Sequence, residues 1–370
     1  MSMQVQFVIF WLAIIFILFI GLIQNKFSRK NQLVIVLFFI FFISYIYSYR
    51  TLGLDLRNYV KYYLELKIEY LMNDFSLKKI FISEYEPLFT LIAIISKKNG
   101  LSVQMWLFIT VIIPSMMFYF SFFKKGKKPL LVFFFFILIM MFQIDLTRFY
   151  LASSFLCIAF HSKNLIKKGF FYVIAFGFHY SVIFLVFIEI FFIIKVSPRK
   201  KNGLIFFFVL GIFVLKNIDL SFLEYSQYRF LFKLWYNLYY SSMSDISMNF
   251  YQKIMIYVVN IYPIIMCMIL LKIMKKDKLI LKDKNYLKYK EALKIGIISN
   301  ILLLVIFGKV RIGFRILLLT YFILFIPFSN SSEEKIYNGK IRGNTIKYIV
   351  ILFIYNVIMS MYYVLISIIY

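Results

Sequence analysis

The chain has 370 residues, of which 63% are hydrophobic and 21% aromatic. Because ordinary globular domains are about 45–50% apolar, this excess excludes a soluble fold and requires burial in lipid. The formal net charge of +27 would suggest nucleic acid in a soluble protein, but the basic residues lie mostly in short loops between apolar runs, which argues against a nucleic-acid partner.

Apolar runs long enough to cross roughly 30 Å of hydrocarbon recur along almost the whole chain. Lipid offers backbone groups no hydrogen-bond partner, so these runs must be α-helices. We therefore predict an all-α polytopic membrane protein, a single transmembrane domain over residues 1–370 with about twelve spans, some of them short or broken. The predicted spans are 5–23, 32–48, 102–123, 129–143, 148–162, 169–178, 181–194, 203–216, 253–273, 294–308, 312–328 and 347–368.

Basic clusters between the spans predict the orientation of the chain. Lys163, Lys167 and Lys168 follow the fifth span, and the segment from Lys272 to Lys294 contains nine lysines, counting both ends. Loops rich in lysine and arginine remain in the cytoplasm, so we place these loops inside, including the basic loop of about 272–293. The loops of about 49–101 and 217–252 then lie outside, as do both ends of the chain.

Two segments do not fit a simple series of spans. Residues 85–98 are too short to cross comfortably and predict an interfacial or re-entrant helix on the external side. The run 169–194 would place Lys195–Lys201 outside if it formed one helix. Two half-helices that meet at Gly177–Phe178–His179 retain the charge pattern, and such breaks occur where the backbone lines a cavity or is covered by protein.

Ionisable residues outside the lysine-rich loops gather on the predicted external face. Arg311 and Arg315 are four residues apart and share one helix face, so both can bind one anion. Asp145 and Arg148 are three apart and can pair, or the carboxylate can orient the guanidinium. Arginine at the start of an apolar helix is costly and usually marks a functional site, and its planar fork suits phosphate. The same face holds Arg50, Asp55, Arg57, Glu84, Glu86 and His179.

Each of these residues also has a structural interpretation. Arg50 can be an interfacial side chain, and Arg148 can be the structural partner of Asp145. The Arg311–Arg315 pair can bind lipid headgroups. His179 can stabilise the helix break by hydrogen bonding. No Asp and His spacing indicates a metal ligand set, and we predict neither a metal nor a cofactor.

Short motifs follow one another in a fixed order. They are Arg50-x-x-Gly53-x-Asp55-x-x-x-Tyr59, a hydrophobic stretch led by Glu86, Asp145-x-x-Arg148-x-x-x-Ala152, Phe178–His179-x-Ser181, and Arg311 and Arg315 followed by Tyr321. This order resembles the EpsG family of exopolysaccharide proteins and, more broadly, the Wzy-type O-antigen and capsule repeat-unit polymerases. The resemblance covers roughly residues 45–330.

The resemblance implies a metal-independent, GT-C-like glycosyltransferase in the bacterial inner (plasma) membrane. Such an enzyme polymerises oligosaccharide repeats at the external leaflet, transferring the chain from undecaprenyl diphosphate to a new lipid-linked repeat. The implied partners are this undecaprenyl-diphosphate-linked oligosaccharide, membrane lipids, a chain-length regulator and a flippase.

The resemblance also implies roles for the external residues. Diphosphate would be bound by Arg148, Arg311, Arg315 and Arg50, with Asp145 and Glu86 as orienting residues. Either His179 or Asp55 would take the proton of the acceptor hydroxyl.

Two other functions compete with polymerisation. A flippase or other polysaccharide transporter would also have about twelve helices and a basic cavity, but it predicts internal repeats that the sequence does not show. It would also rely on Glu189, which lies within a predicted span. A membrane acyltransferase that modifies polysaccharide would also use a histidine, but would take its acyl donor from the cytoplasmic side, where the loops carry mostly lysine.

Overall fold

All regular secondary structure in the described part of the chain is helical. The computed structural model describes residues 3–23, 26–49, 56–66, 80, 83, 85–123, 129–140, 147–183 and 186, and isolated positions between 261 and 301. The helices are α1 (Met3–Leu22), α2 (Arg29–Ser48), α3 (Leu56–Glu65), α4 (Pro87–Lys98), α5 (Val103–Phe118), α6 (Pro129–Met140), α7 (Thr147–His161) and α8 (Leu165–Phe178). A π-helical turn, Tyr119–Phe123, extends α5, and a 3₁₀ turn, Tyr180–Val182, follows α8. The predicted all-α class is confirmed for these residues, which hold no strand.

Polar side chains fix where several helices begin. The Ser28 hydroxyl accepts a hydrogen bond from the backbone N–H of Asn31, and the Ser102 hydroxyl accepts one from Met105. The Asn164 side chain does the same for Lys167, at 3.0 Å. Each of these residues satisfies a backbone donor that the first helical turn leaves without a partner.

The described helices include two of membrane-spanning length and several that are shorter. Two of the described helices, Arg29–Ser48 and the extended helix Val103–Phe123, are long and apolar enough to cross a membrane. In contrast, α7 has 15 residues and α8 has 14, so each measures only about 21–23 Å along its axis. The predicted total of twelve spans includes many segments outside the described residues.

The described residues divide into two units. The first unit contains α1, α2, α3, α4 from Leu88 onward, and α5 to α8. The second contains the described residues between Ser76 and Pro87, together with those between Tyr180 and Ile323. The first unit holds the residues that build the candidate site.

The first unit is a bundle with an aromatic core. In it α7 packs against α8 and α5, α5 packs against α2 and α3, and α6 packs against α1 and α2. The α7–α8 pair is antiparallel, because the turn 162–164 joins the helices and the ring of Phe155 lies near both Phe171 and Phe178. Helices α5 and α7 run in parallel: Ser115 contacts Tyr150, and further along both helices Phe122 contacts His161.

Helix α8 ends at Phe178, at the helix break that the sequence predicts. Helix α8 continues through Gly177 and Phe178, and His179 leaves it with extended backbone angles, φ −156° and ψ 116°. Gly177 also allows close packing, since a Cβ placed there would lie 2.7 Å from Cδ1 of Leu88. The start of α4 therefore lies directly against the end of α8. The predicted helix within residues 85–98 is also confirmed, as α4.

Candidate functional site

Arg148 lies in the first turn of α7, where a positive charge is unfavourable. The residue is only 9% exposed, within a helix whose other residues are mostly apolar. The N-terminal end of a helix carries a partial positive charge, which repels a cation and attracts an anion. Burying a guanidinium here is therefore costly in free energy, and an anion bound beside it would be stabilised by both the side chain and the helix.

The hydroxyl of Tyr59 is a hydrogen-bond partner of Arg148. The Nε–H of Arg148 donates to Oη of Tyr59 at 3.1 Å, and the guanidinium carbon lies 5.5 Å from the centre of the tyrosine ring. Tyr59 belongs to α3 and is 1% exposed. Its ring also packs against Phe89 of α4, with 5.3 Å between the ring centres. Two residues 89 positions apart thus meet through a charge-assisted hydrogen bond.

Helix α3 is also anchored by polar contacts of residues that follow Tyr59. Tyr62 donates its hydroxyl hydrogen to Oγ1 of Thr90 at 3.0 Å, and Tyr63 donates to the carbonyl of Leu101 at 2.7 Å. The Lys97 ammonium donates to the carbonyls of Tyr63 and Leu64, which places a positive charge at the C-terminal end of α3. Burial raises the pKa of the Tyr63 hydroxyl above its ordinary value.

His179 lies at the same end of the bundle as Arg148. The residue is 6% exposed, and its ring packs edge-on against Phe149, with 5.5 Å between ring centres and 84° between planes. Phe149 directly follows Arg148 in α7. Because α7 and α8 are antiparallel, the start of α7 and the end of α8 lie together, and we call this the site end.

A lysine lies at the other end of the α7–α8 pair. The turn that holds Lys163 joins α7 to α8 at the end opposite to the site end. Arg148 and His179 therefore lie at one end of this helix pair and Lys163 at the other. This separation was predicted from the positive-inside pattern.

Comparison with known proteins identifies the family of the chain. The family model of the EpsG family matches residues 33–369, nearly the whole sequence. The chain belongs to the EpsG family. EpsG is a Wzy-type polymerase-like family, which indicates a membrane protein of polysaccharide biosynthesis. No curated protein and no solved structure matches the chain.

The structure describes only part of the predicted EpsG-family site. It brings Arg148 and His179 to one end of the bundle. Glu86 directly precedes α4 and is 2% exposed, but it belongs to the second unit. Among the described residues, no group of three or more His, Cys, Asp or Glu comes together as a metal site would require. Five predicted residues lie outside the described residues: Arg50, Asp55, Asp145, Arg311 and Arg315.

The role of Tyr59 in this EpsG-family protein was missed by sequence reasoning, although the residue ends the first motif. A signal was present: Tyr59, Tyr62 and Tyr63 recur at helical spacing, which places three aromatic hydroxyls on one face of α3. Such a face predicts a buried helix with several hydrogen-bonding groups. Its partners Arg148 and Thr90 are distant in sequence, so only the folded chain identifies them.

Proposed function

We propose that the protein polymerises oligosaccharide repeat units carried on undecaprenyl diphosphate, at the external leaflet of the bacterial inner membrane. One observation carries the proposal: the buried Arg148, held by Tyr59, lies at the same end of the bundle as the buried His179. A permanent cation and a proton-accepting ring are the two kinds of group that this transfer needs.

In the proposed reaction, the hydroxyl oxygen of the acceptor sugar attacks the anomeric carbon of the growing chain. A new glycosidic C–O bond forms, and the bond between the anomeric carbon and the diphosphate oxygen breaks with its electron pair on the diphosphate. Negative charge therefore increases on the leaving group. Arg148 stabilises this charge without having to reorganise, because its guanidinium is already held in place.

The acceptor hydroxyl must lose its proton during the attack. His179 takes this role in the proposal, since a histidine ring exchanges protons near neutral pH. Its ring is held against Phe149, next to Arg148 in the chain. Asp55 remains the alternative base.

Further arginines complete the proposed site. Arg50, Arg311 and Arg315 add positive charge for the diphosphate, while Asp145 and Glu86 orient neighbouring groups. A multi-pass fold of about twelve spans would hold these residues beside the outer leaflet. A chain-length regulator and a flippase would act with the polymerase, the first on product length and the second on substrate supply.

Arg148→Ala tests the proposal in cells that make the polysaccharide. We expect long-chain polymer to fall by about a hundredfold or more, the range seen when a preorganised charge-stabilising group is removed. Protein abundance should stay normal, and lipid-linked single repeats should accumulate on the external leaflet. Arg57→Ala is the matched control, since Arg57 is an exposed arginine on α3 and its loss should leave the polymer unchanged.

Two results would contradict the proposal. Normal polymer from the Arg148→Ala protein would show that this charge does not serve the reaction. Accumulation of single repeats on the cytoplasmic leaflet would show instead that transport across the membrane had failed, and would support the flippase function.

A further inference from the structure

We propose that Tyr59 is a positioning residue, whose hydroxyl fixes the plane of the Arg148 guanidinium and thereby selects the edge that it presents to diphosphate. This inference rests on the proposed function. It assigns a role to a residue that touches the arginine and not the reacting atoms.

The guanidinium can form two parallel hydrogen bonds along different edges, one that includes Nε and one made of the two terminal Nη groups. Tyr59 occupies Nε at 3.1 Å. An anion that binds while this contact is kept must therefore meet the terminal edge if it forms two bonds. The contact thus sets the direction from which Arg148 receives a phosphate group.

The oxygen that sets this direction is itself fixed by α3. Tyr59 is 1% exposed and packs against Phe89, so its ring has little freedom to rotate. The neighbouring residues Tyr62 and Tyr63 bind Thr90 and the Leu101 carbonyl.

A neutral hydroxyl suits this role better than a carboxylate. An aspartate or glutamate at this position would hold the guanidinium but would also neutralise its charge and compete with diphosphate. The tyrosine hydroxyl accepts the Nε–H and itself brings no negative charge to Arg148. Tyr59 therefore orients the arginine without reducing its attraction for phosphate.

The first experiment measures binding of radiolabelled undecaprenyl diphosphate to the full-length protein in lipid nanodiscs. Tyr59→Phe keeps the ring and its contact with Phe89 but removes the acceptor oxygen, and should weaken binding roughly tenfold, as expected for loss of a charge-assisted hydrogen bond. Tyr62→Phe is the matched control: it makes the same change on the same helix, at a hydroxyl that binds Thr90. Its affinity should match that of the unmodified protein.

The second experiment separates positioning from a general structural role. Arg148→Lys keeps the charge but replaces the planar fork with an ammonium that has no edge to orient. In this background Tyr59→Phe should weaken binding by less than about twofold, because interacting residues have non-additive effects. An equal loss in both backgrounds would overturn the proposal, as would a loss of affinity in Tyr62→Phe as large as that in Tyr59→Phe.

The same assay distinguishes failure of this inference from failure of the proposed function. If Arg148→Ala binds undecaprenyl diphosphate as tightly as the unmodified protein, the proposed function is wrong. If Arg148→Ala loses binding while Tyr59→Phe retains it, only the positioning role is wrong. Melting temperatures of all variants in nanodiscs show whether each one is folded.

Discussion

Arg148 is held in a position that two physical effects oppose. Burial removes most of the water that would solvate the guanidinium, and the N-terminal end of α7 repels its charge. The hydrogen bond to Tyr59 offsets part of this cost but supplies no opposite charge. An anionic ligand would lower this cost further, and in the proposed function the diphosphate is that ligand.

Tyr150, two residues further along α7, links this helix to α5. The Ser115 oxygen lies 2.8 Å from the carbonyl oxygen of Val111 and 2.7 Å from the Tyr150 hydroxyl. Because the carbonyl can only accept, we assign the Ser115 hydrogen to Val111 and the Tyr150 hydroxyl as the donor to Ser115. Both side chains are buried, Tyr150 completely. Since Tyr150 is the donor of this pair, the two partners should differ in how much their removal costs.

We predict that Ser115→Ala destabilises the protein more than Tyr150→Phe does. The first change leaves a buried hydroxyl without its acceptor and should cost about 1–3 kcal/mol, whereas the second leaves Ser115 bonded to Val111 and should cost well under that. Unfolding of the protein in mixed detergent micelles measures both. In the Tyr150→Phe background, Ser115→Ala should cost little; a full loss there would contradict the assigned donor.

At the scale of helices, α4 and α8 approach each other at a glycine. A Cβ at Gly177 would lie 2.7 and 2.8 Å from two atoms of the Leu88 side chain, closer than real Cβ atoms come. The contact joins the start of α4 to the last turn of α8, directly before His179. A larger residue at Gly177 must therefore move Leu88 or shift one of the two helices.

Gly177→Ala should destabilise the protein by about 1–3 kcal/mol, the usual cost of forcing extra volume into a packed contact. Gly169→Ala is the matched control on the same helix: nothing lies within 4 Å of its Cβ position, so the change should be neutral or stabilise by up to about 1 kcal/mol. Thermal unfolding in detergent compares the two. In a Leu88→Ala background Gly177→Ala should cost little further, and a Gly177→Ala protein as stable as Gly169→Ala would contradict the close contact.

The helices illustrate what the sequence can and cannot predict. Runs of apolar residues and their flanking charges predict α2, α5 and the break at His179, because these features depend on local composition and on the membrane. The charge pattern also predicts the break, since Lys195–Lys201 would lie outside if residues 169–194 formed one helix. The contact of Gly177 with Leu88 depends on how helices far apart in sequence pack, and no local pattern reveals it.

At the scale of the whole molecule, Arg148 and His179 lie at one end of the α7–α8 pair and Lys163 at the other. Helix α3 contacts the start of α7 through Tyr59, so it belongs to the site end with Arg148 and His179. Lys163 lies in the turn at the opposite end of α7 and α8. The sequence predicted this separation from the lysine clusters alone, but it could not predict that α3 would bind the arginine.

The separation predicts which positions a reagent outside the cell can reach. Lys61 and Lys163 are both exposed, the first on α3 and the second in the α7–α8 turn, so each can be changed to cysteine after the two native cysteines are replaced by alanine. A maleimide that does not cross membranes should label Lys61→Cys in intact cells, and should label Lys163→Cys only after permeabilisation. We expect the lysine loop to remain in the cytoplasm by the positive-inside rule, and the proposed diphosphate site would then face outward. The reverse labelling pattern would place Arg148 on the cytoplasmic side and would rule out polymerisation at the external leaflet.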